Sequence, residues 1–269
     1  MNVYYKNHLG EIISLKKRPY HMLTGDLLDY KWEVLSSGSR ITGFGKGIYE
    51  KTVEFETFTT KAEYHQALDR VTEVFEKDIL ACTPGRLYIN GQYLRCFITE
   101  SKKSNWESDI LAVTELVIVT DYPYWITEKE FEYRPSGSVS KNNKQYPYKY
   151  HYRYSNGLSD LALLNDHYGD TDFRMIVFGP VSNPAVFVNE HLYQVNVTLE
   201  AGEYLTIDSA GGTITVTQNT GQTVNVFNNR LKESDIFQKI GQGNNRIRWN
   251  GEFGFNMILL QERSQPKCA

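Results

Sequence analysis

Cysteine is scarce in this 269-residue sequence: Cys82, Cys96 and Cys268 are an odd number, far apart and in no paired spacing. That excludes a disulfide framework and fits synthesis in a reducing cytoplasm. No apolar run approaches the roughly 18 residues that a membrane-spanning helix needs, so no membrane span is expected. Met1 to Lys17 lacks the apolar stretch of a signal peptide, and export by that route is not expected. Neither sign of charge dominates: 29 Lys and Arg stand against 32 Asp and Glu, a formal net charge of -3. Without a basic excess to neutralise phosphates, nucleic acid is not an expected ligand.

Chemistry-bearing patterns are missing too. The six histidines, His8, His21, His65, His151, His167 and His191, are scattered, and none lies three or four residues from another. No metal site follows from them. Gly43-Phe44-Gly45-Lys46-Gly47 lacks the spacing of a phosphate-cradling loop and opens no helix, so it reads as a flexible loop. There is no Gly-x-Ser-x-Gly, and no cysteine has a histidine at a suggestive position. Paired carboxylates of a glycan hydrolase cannot be picked out among the acidic residues. The chain is therefore read as a non-enzyme, with no catalytic, cofactor or metal residue.

Strand-forming residues, by contrast, are plentiful: 19 Tyr and 13 Phe dominate the aromatics, and tyrosine suits half-buried pleated surfaces and interfaces. Tyr30 to Leu35 reads as a strand, followed by a flexible, glycine-rich stretch from Ser36 to Gly47. Thr52 to Phe58 alternates Val53 and Phe55 with Glu54 and Glu56, the period of a half-buried strand. One long helix is expected. Thr60 and Glu63 have capping-box spacing, and Tyr64, Leu68, Val71, Phe75 and Ile79 form an apolar stripe ended by Pro84-Gly85. Asn90-Gly91 predicts a tight hairpin over Arg86 to Ile98, with Tyr88 facing Tyr93 and Leu87 facing Leu94. Leu111 to Thr120 reads as a central strand.

From Arg134 to Pro147 the composition turns to Pro, Ser, Gly, Asn and Lys, as in a connection between domains. The expected organisation is two domains, 1–134 and 135–269. Beyond the connection, short segments recur with turn residues between them, among them Arg174 to Gly179, Leu192 to Leu199, Tyr204 to Asp208, Thr213 to Thr217 and Phe253 to Leu260. This spacing predicts a β-sandwich. The fold class is thus mainly β, an α+β first domain followed by an all-β second one. At the start of the second domain, Tyr148, Tyr150 and Tyr152 alternate with cationic residues. In a strand they would share a face able to stack on sugar rings or on bases, or simply pack on a core or a neighbouring subunit.

The carboxy-terminal residues carry a resemblance. Phe237-Gln238-Lys239-Ile240, Gly243-Asn244-Asn245, Trp249-Asn250-Gly251 and Glu262-Arg263-Ser264-Gln265-Pro266-Lys267 occur in that order, and the ending is similar to that of the distal tail proteins of siphophages. Cys268 stands where that family often has an aromatic. The Tyr30 to Val34 strand, the helix from Lys61 and the Pro84-Gly85-Arg86 hairpin also resemble the family's first domain. The resemblance implies a tail-tube-like belt domain forming a ring of six and a galectin-like β-sandwich. It implies a tail-tip or baseplate hub in the virion, assembled in the host cytoplasm. Expected partners are the tail tube protein, a tail-associated lysin or fibre, and receptor-binding proteins, with DNA only passing through. In such a ring, Glu50, Glu54 and Glu56 would face the channel or its rim, where like charge keeps DNA from sticking, or would simply form a solvated strand face. The rival reading is a carbohydrate-binding module that contacts the host wall.

Overall fold

The computed structural model describes residues 2–135 and 161–267. They divide into two compact units, residues 1–127 with 262–269, and residues 128–261. The sequence reading set its division at 134/135. By packing, the chain changes unit inside one strand and returns inside another, so that its last residues rejoin the first unit.

Unit 1 is an antiparallel sheet with one helix on it. Its strands are β1 (Val3–Lys6), β2 (Ile12–Ser14), β3 (Tyr20–Gly25), β4 (Glu33–Ser37), β5 (Arg40–Gly45), β6 (Tyr49–Phe58), β7 (Gly85–Ile89), β8 (Gln92–Ser104) and β9 (Leu111–Thr120), and β10 (Trp125–Tyr133) begins there. The hydrogen-bonded order is β2, β1, β7, β8, β9, β6, β3, while among the described residues β4 and β5 pair only with each other. The expected hairpin forms in the expected register: Leu87 faces Leu94 and Tyr88 faces Tyr93. Asn90 (φ 48°) and Gly91 (φ 83°) take the left-handed conformations that so tight a turn requires. β9 has the bounds read from the sequence and is central, paired to β6 and β8. On β6, Lys51, Val53, Phe55 and Thr57 are buried, while Glu50, Thr52, Glu54 and Glu56 occupy the other face.

The helix α1 (Lys61–Leu80) departs from its sequence reading in two respects. The capping box is not formed. Thr60 is the N-cap but its side chain makes no cap bond; instead the Thr59 hydroxyl donates to Glu63 Oε2 at 2.8 Å. The buried stripe is also rotated. Tyr64, Ala67, Val71, Val74, Phe75 and Asp78 are buried, whereas Leu68 is only half-buried and Ile79 is exposed. The true stripe advances by three and four residues in turn, and it accepts a carboxylate at its end because partners await it there. Ala67, Val71, Val74 and Phe75 pack into a core with Val3, Tyr5, Leu87, Leu94, Leu116 and Trp125.

The expected flexible stretch from Ser36 to Gly47 is corrected: most of it belongs to the β4–β5 ribbon, with Gly38 (φ 61°) at its turn. Its glycines do not prevent pairing. A Cβ added at Gly43 or Gly45 would lie an ordinary 3.8 Å from the Leu35 side chain.

Unit 2 consists of two facing sheets. Its strands are β11 (Leu161–Asn165), β12 (Asp172–Phe178), β13 (Val181–Ser182), β14 (Ala185–Val188), β15 (His191–Gln194), β16 (Thr198–Leu199), β17 (Tyr204–Asp208), β18 (Thr213–Thr217), β19 (Thr223–Asn225), β20 (Gly243–Arg248) and β21 (Phe255–Arg263). One sheet runs β19, β18, β17, β12, β21, β10 and the other β11, β20, β14, β15. Alternate residues of both sheets, such as Phe173, Met175, Leu205 and Met257 from one and Leu163, Val186, Tyr193 and Ile247 from the other, share a single core. The sandwich predicted from strand spacing is present, and the fold class is mainly β. The expected single strand Leu192 to Leu199 is split into β15 and β16. Between them Val195 bridges to Arg230 and the Asn196 amide donates to the Asn229 carbonyl, so the chain changes partners there.

Candidate assembly surface

Two features of unit 1 look outward, and each follows from strand register. The first is the β4–β5 ribbon. Val34 lies opposite Phe44 and Ser36 opposite Ile41, which places Val34, Ile41 and Phe44 on one face. All three are about 60% exposed, at 57%, 62% and 60%. An isolated two-stranded ribbon is marginally stable, and an exposed apolar face on it is a candidate contact surface.

The root of the ribbon is anchored by two lysines. Lys46 follows β5, and its Nζ stands 4.6 Å from the Trp32 ring centroid and 4.0 Å from that of Tyr124. It donates to the Pro123 carbonyl at 2.9 Å and to Ser264 Oγ at 2.8 Å. Lys51, almost wholly buried, donates to the carbonyls of Asp26 (3.1 Å) and Asp29 (2.5 Å) ahead of the ribbon. Burial pushes the Lys46 ammonium down to about 8; neighbouring Lys51 pushes the same way and Glu262 opposes. Burial likewise lowers Lys51, against the pull of Asp26 and Asp29.

A pH dependence follows from Lys46. Its ordinary value is 10.5 and its folded value about 8, so between these pH values the unfolded chain binds more protons than the folded one. Stability must therefore rise as pH increases through that window. Urea titrations at pH 8 and pH 10 are expected to show this rise in the wild type and a smaller one in Lys46→Met. An equal rise in both would remove Lys46 as its source.

The second outward feature is the acidic face of β6. The structure brings Glu50, Glu54 and Glu56 together on one side of the strand, Glu50 exposed and the other two half-buried. Glu54 lies opposite Glu115 of β9, a like-charge pair. Lys102 of β8 faces Glu115 and approaches it to 3.7 Å, which eases that repulsion. Beside α1 there is also a groove of about 1170 Å³, lined by Ile12, Tyr20, Phe58, Ala67 and Arg70 among others.

Unit 1 also contains two internal networks, and sequence reasoning missed both. Asp78 is fully buried and accepts the Tyr5 hydroxyl at 2.5 Å and the His8 amide at 2.9 Å, with His8 Nδ1 at 2.5 Å. This ties the end of α1 to the β1–β2 turn. Burial, the nearby Cys96 and the bond to Asp78 all raise the Tyr5 hydroxyl far above its ordinary value. A Cβ at Gly85 would overlap both Tyr5 and Asp78, so only glycine fits there. The signal in the sequence was that Asp78 continues the three-four spacing Tyr64, Ala67, Val71, Val74.

The second network is the carboxy-terminal motif itself. The Tyr122 hydroxyl donates to Glu262, Ser264 accepts from Lys46, and the Lys267 amide donates to Gln92 Oε1 at 3.0 Å. The motif that carried the family resemblance is thus a strap along unit 1.

In unit 2, a smaller recess of about 450 Å³ is lined by Asn189, His191, Gln238, Lys239 and Asn245 among others. Its buried Asn245 is fully engaged, donating to the carbonyls of Gly241 and Gly243 and accepting from Asn189. Tyr148, Tyr150 and Tyr152 lie outside the described residues. Among the described residues no group of three or more His, Cys, Asp or Glu is placed to hold a metal ion, and no helix is long and apolar enough to cross a membrane.

No protein-family model and no curated protein matches the sequence. Solved structures do match in three dimensions. The SPP1 Dit (gp 19.1) protein, described as a paradigm of the hub adsorption apparatus in phages infecting Gram-positive bacteria, superposes with a TM-score of 0.59 at 11% identity, covering 97% of this chain and 98% of that one. A chain of the phage p2 baseplate in its activated conformation with Ca gives a TM-score of 0.63 at 13% identity, covering 98% and 99%. The same baseplate with Sr gives 0.63 at 14% identity and the same coverage. Over nearly its whole length, this chain has the fold of the SPP1 Dit protein and of the matching phage p2 baseplate chain.

Proposed function

We propose that this chain is a structural hub of a siphophage tail. Six copies close into a ring at the distal end of the tail tube and connect it to the adsorption apparatus at the tip. The observation that carries the reading is the fold, matched from end to end by a protein described as an adsorption hub. Two features of unit 1 support it. A ring needs heterologous contacts that close on themselves, and the apolar face of Val34, Ile41 and Phe44 supplies a surface for one. The acidic face of Glu50, Glu54 and Glu56 suits a channel wall that DNA slides past without sticking.

On this reading the chain is not an enzyme and resides in the virion. It touches the tail tube protein on one side and a tail-associated lysin, fibre or receptor-binding protein on the other. Unit 1 is the ring-forming belt, and unit 2 the galectin-like sandwich. Light scattering after size exclusion at high concentration tests the ring. The expected mass is six times the 31.1 kDa of one chain, with open-centred rings in negative stain. A single-chain mass at every concentration would count against a self-assembling hub. The carbohydrate-module alternative rests on Tyr148, Tyr150 and Tyr152, and a glycan array on the folded protein decides it.

A further inference from the structure

Four stretches of chain meet at the Lys46 ammonium. Trp32 enters the β4–β5 ribbon and Lys46 leaves it; Pro123 and Tyr124 belong to the connection between β9 and β10; Ser264 follows β21. A second tie joins the same connection to the same tail, since Tyr122 donates to Glu262. The Tyr122 and Tyr124 rings are in turn tilted together at 5.1 Å. We propose that this cluster is a clasp, in which Lys46 fastens the ribbon to the carboxy-terminal segment so that the two are held, and released, as one.

Among the described residues β4 and β5 bond to no other strand, and an isolated two-stranded ribbon is only marginally stable in water. What fixes its direction is therefore what grips its root. One side of that grip is Lys51, on the backbone of Asp26 and Asp29; the other is Lys46. Lys46 spends one of its two hydrogen bonds on a residue 218 positions away, at the end of the strand that brings the chain back from unit 2. A displacement of Ser264 is felt at the ribbon root through a single nitrogen, and movement of the ribbon is felt at the end of β21.

The ammonium suits such a part. It lies against two rings that favour a cation, while its partial burial costs it hydration and so opposes closing of the clasp. A surface element meant to move is expected to sit in this low-stability range. The inference does not depend on the hub reading.

Hydrogen exchange on the full chain at pH 7 tests it, following peptides that cover 30–48 and 262–267, with peptides on α1 and the β7–β8 hairpin as reference. Lys46→Ala is expected to raise the opening of both the ribbon and the tail by about tenfold or more, the scale of losing hydrogen bonds to a charged group, while the reference peptides stay protected. Ser264→Ala removes only the acceptor on the tail, yet it too is expected to speed exchange in the ribbon. Should Lys46→Ala also unfold the reference peptides, Ser264→Ala gives the answer alone. A ribbon that opens with the tail unchanged, a tail that opens with the ribbon unchanged, or no change in either would overturn the clasp.

Discussion

Asp78→Ala is expected to lower the stability of unit 1 by about 3 kcal/mol, the cost of removing one partner from a buried, hydrogen-bonded polar cluster. The carboxylate is fully buried and engages the Tyr5 hydroxyl, the His8 amide and His8 Nδ1. Alanine strands the Tyr5 hydroxyl in a place that water cannot reach and frees the β1–β2 turn from the end of α1. Asp78→Asn keeps an acceptor and should cost less. Ile79→Ala is the control, one residue along but 42% exposed, and should cost well under 1 kcal/mol by comparison. Because the chain has two units, a single melting temperature is a poor readout. Amide exchange within α1 during a urea titration isolates the unit concerned. A loss below about 1 kcal/mol for Asp78→Ala would mean that the cluster is incidental to the fold.

Trp249→Ala should do comparable damage in unit 2, about 3–5 kcal/mol, the usual range for truncating a buried tryptophan. The side chain is 1% exposed and packs edge-on against Tyr133 (ring centroids 5.8 Å) and Phe255 (5.3 Å). Its indole N–H donates to the Phe253 carbonyl at 3.1 Å, so truncation leaves both a cavity and an unpaired backbone oxygen. Gly251, at φ 74°, makes the turn that brings Phe253 back under the ring, a physical role for Trp249-Asn250-Gly251. Exchange in β12 and β21 should rise while α1 keeps its protection. Trp106→Ala, at a site 56% exposed, should change little. Concerted loss of protection in α1 would show that the two units do not respond separately.

How far the sequence could be read depended on how local each determinant is. The β7–β8 hairpin was legible down to its register because Asn90-Gly91 permits one tight turn, and the turn then fixes every pair. β9 was legible because ten nearly unbroken apolar and β-branched residues leave few other choices. β1, β2 and β3 were not, since three to six residues carry too short a pattern to stand out. The ribbon was misread because four glycines weigh as loop, whereas a Cβ at Gly43 or Gly45 would meet only ordinary contact with Leu35, so glycine there spoils no close packing. Once the ribbon is granted, extending its register one step beyond Glu33 and Gly45 sets Trp32 opposite Lys46. The aromatic contact was thus latent in the sequence, but Ser264, 218 residues on, was not. The helix stripe was drawn through Leu68 and Ile79 because a carboxylate was not admitted to an apolar face. Only the distant Tyr5 and His8 make Asp78 acceptable there.

The division of the chain has a consequence for how such a protein can vary. Unit 2 is entered through β10 and left through β21, and these two strands are hydrogen-bonded neighbours. Entry and exit thus lie on adjacent strands of one sheet. Unit 2 is in effect a cassette spliced into a loop of unit 1. Changes of length or sequence inside such an insertion are expected to leave the register of β7, β8, β9 and β6 undisturbed. Of the two units, the inserted one is expected to be the more tolerant of change, and the host unit the less.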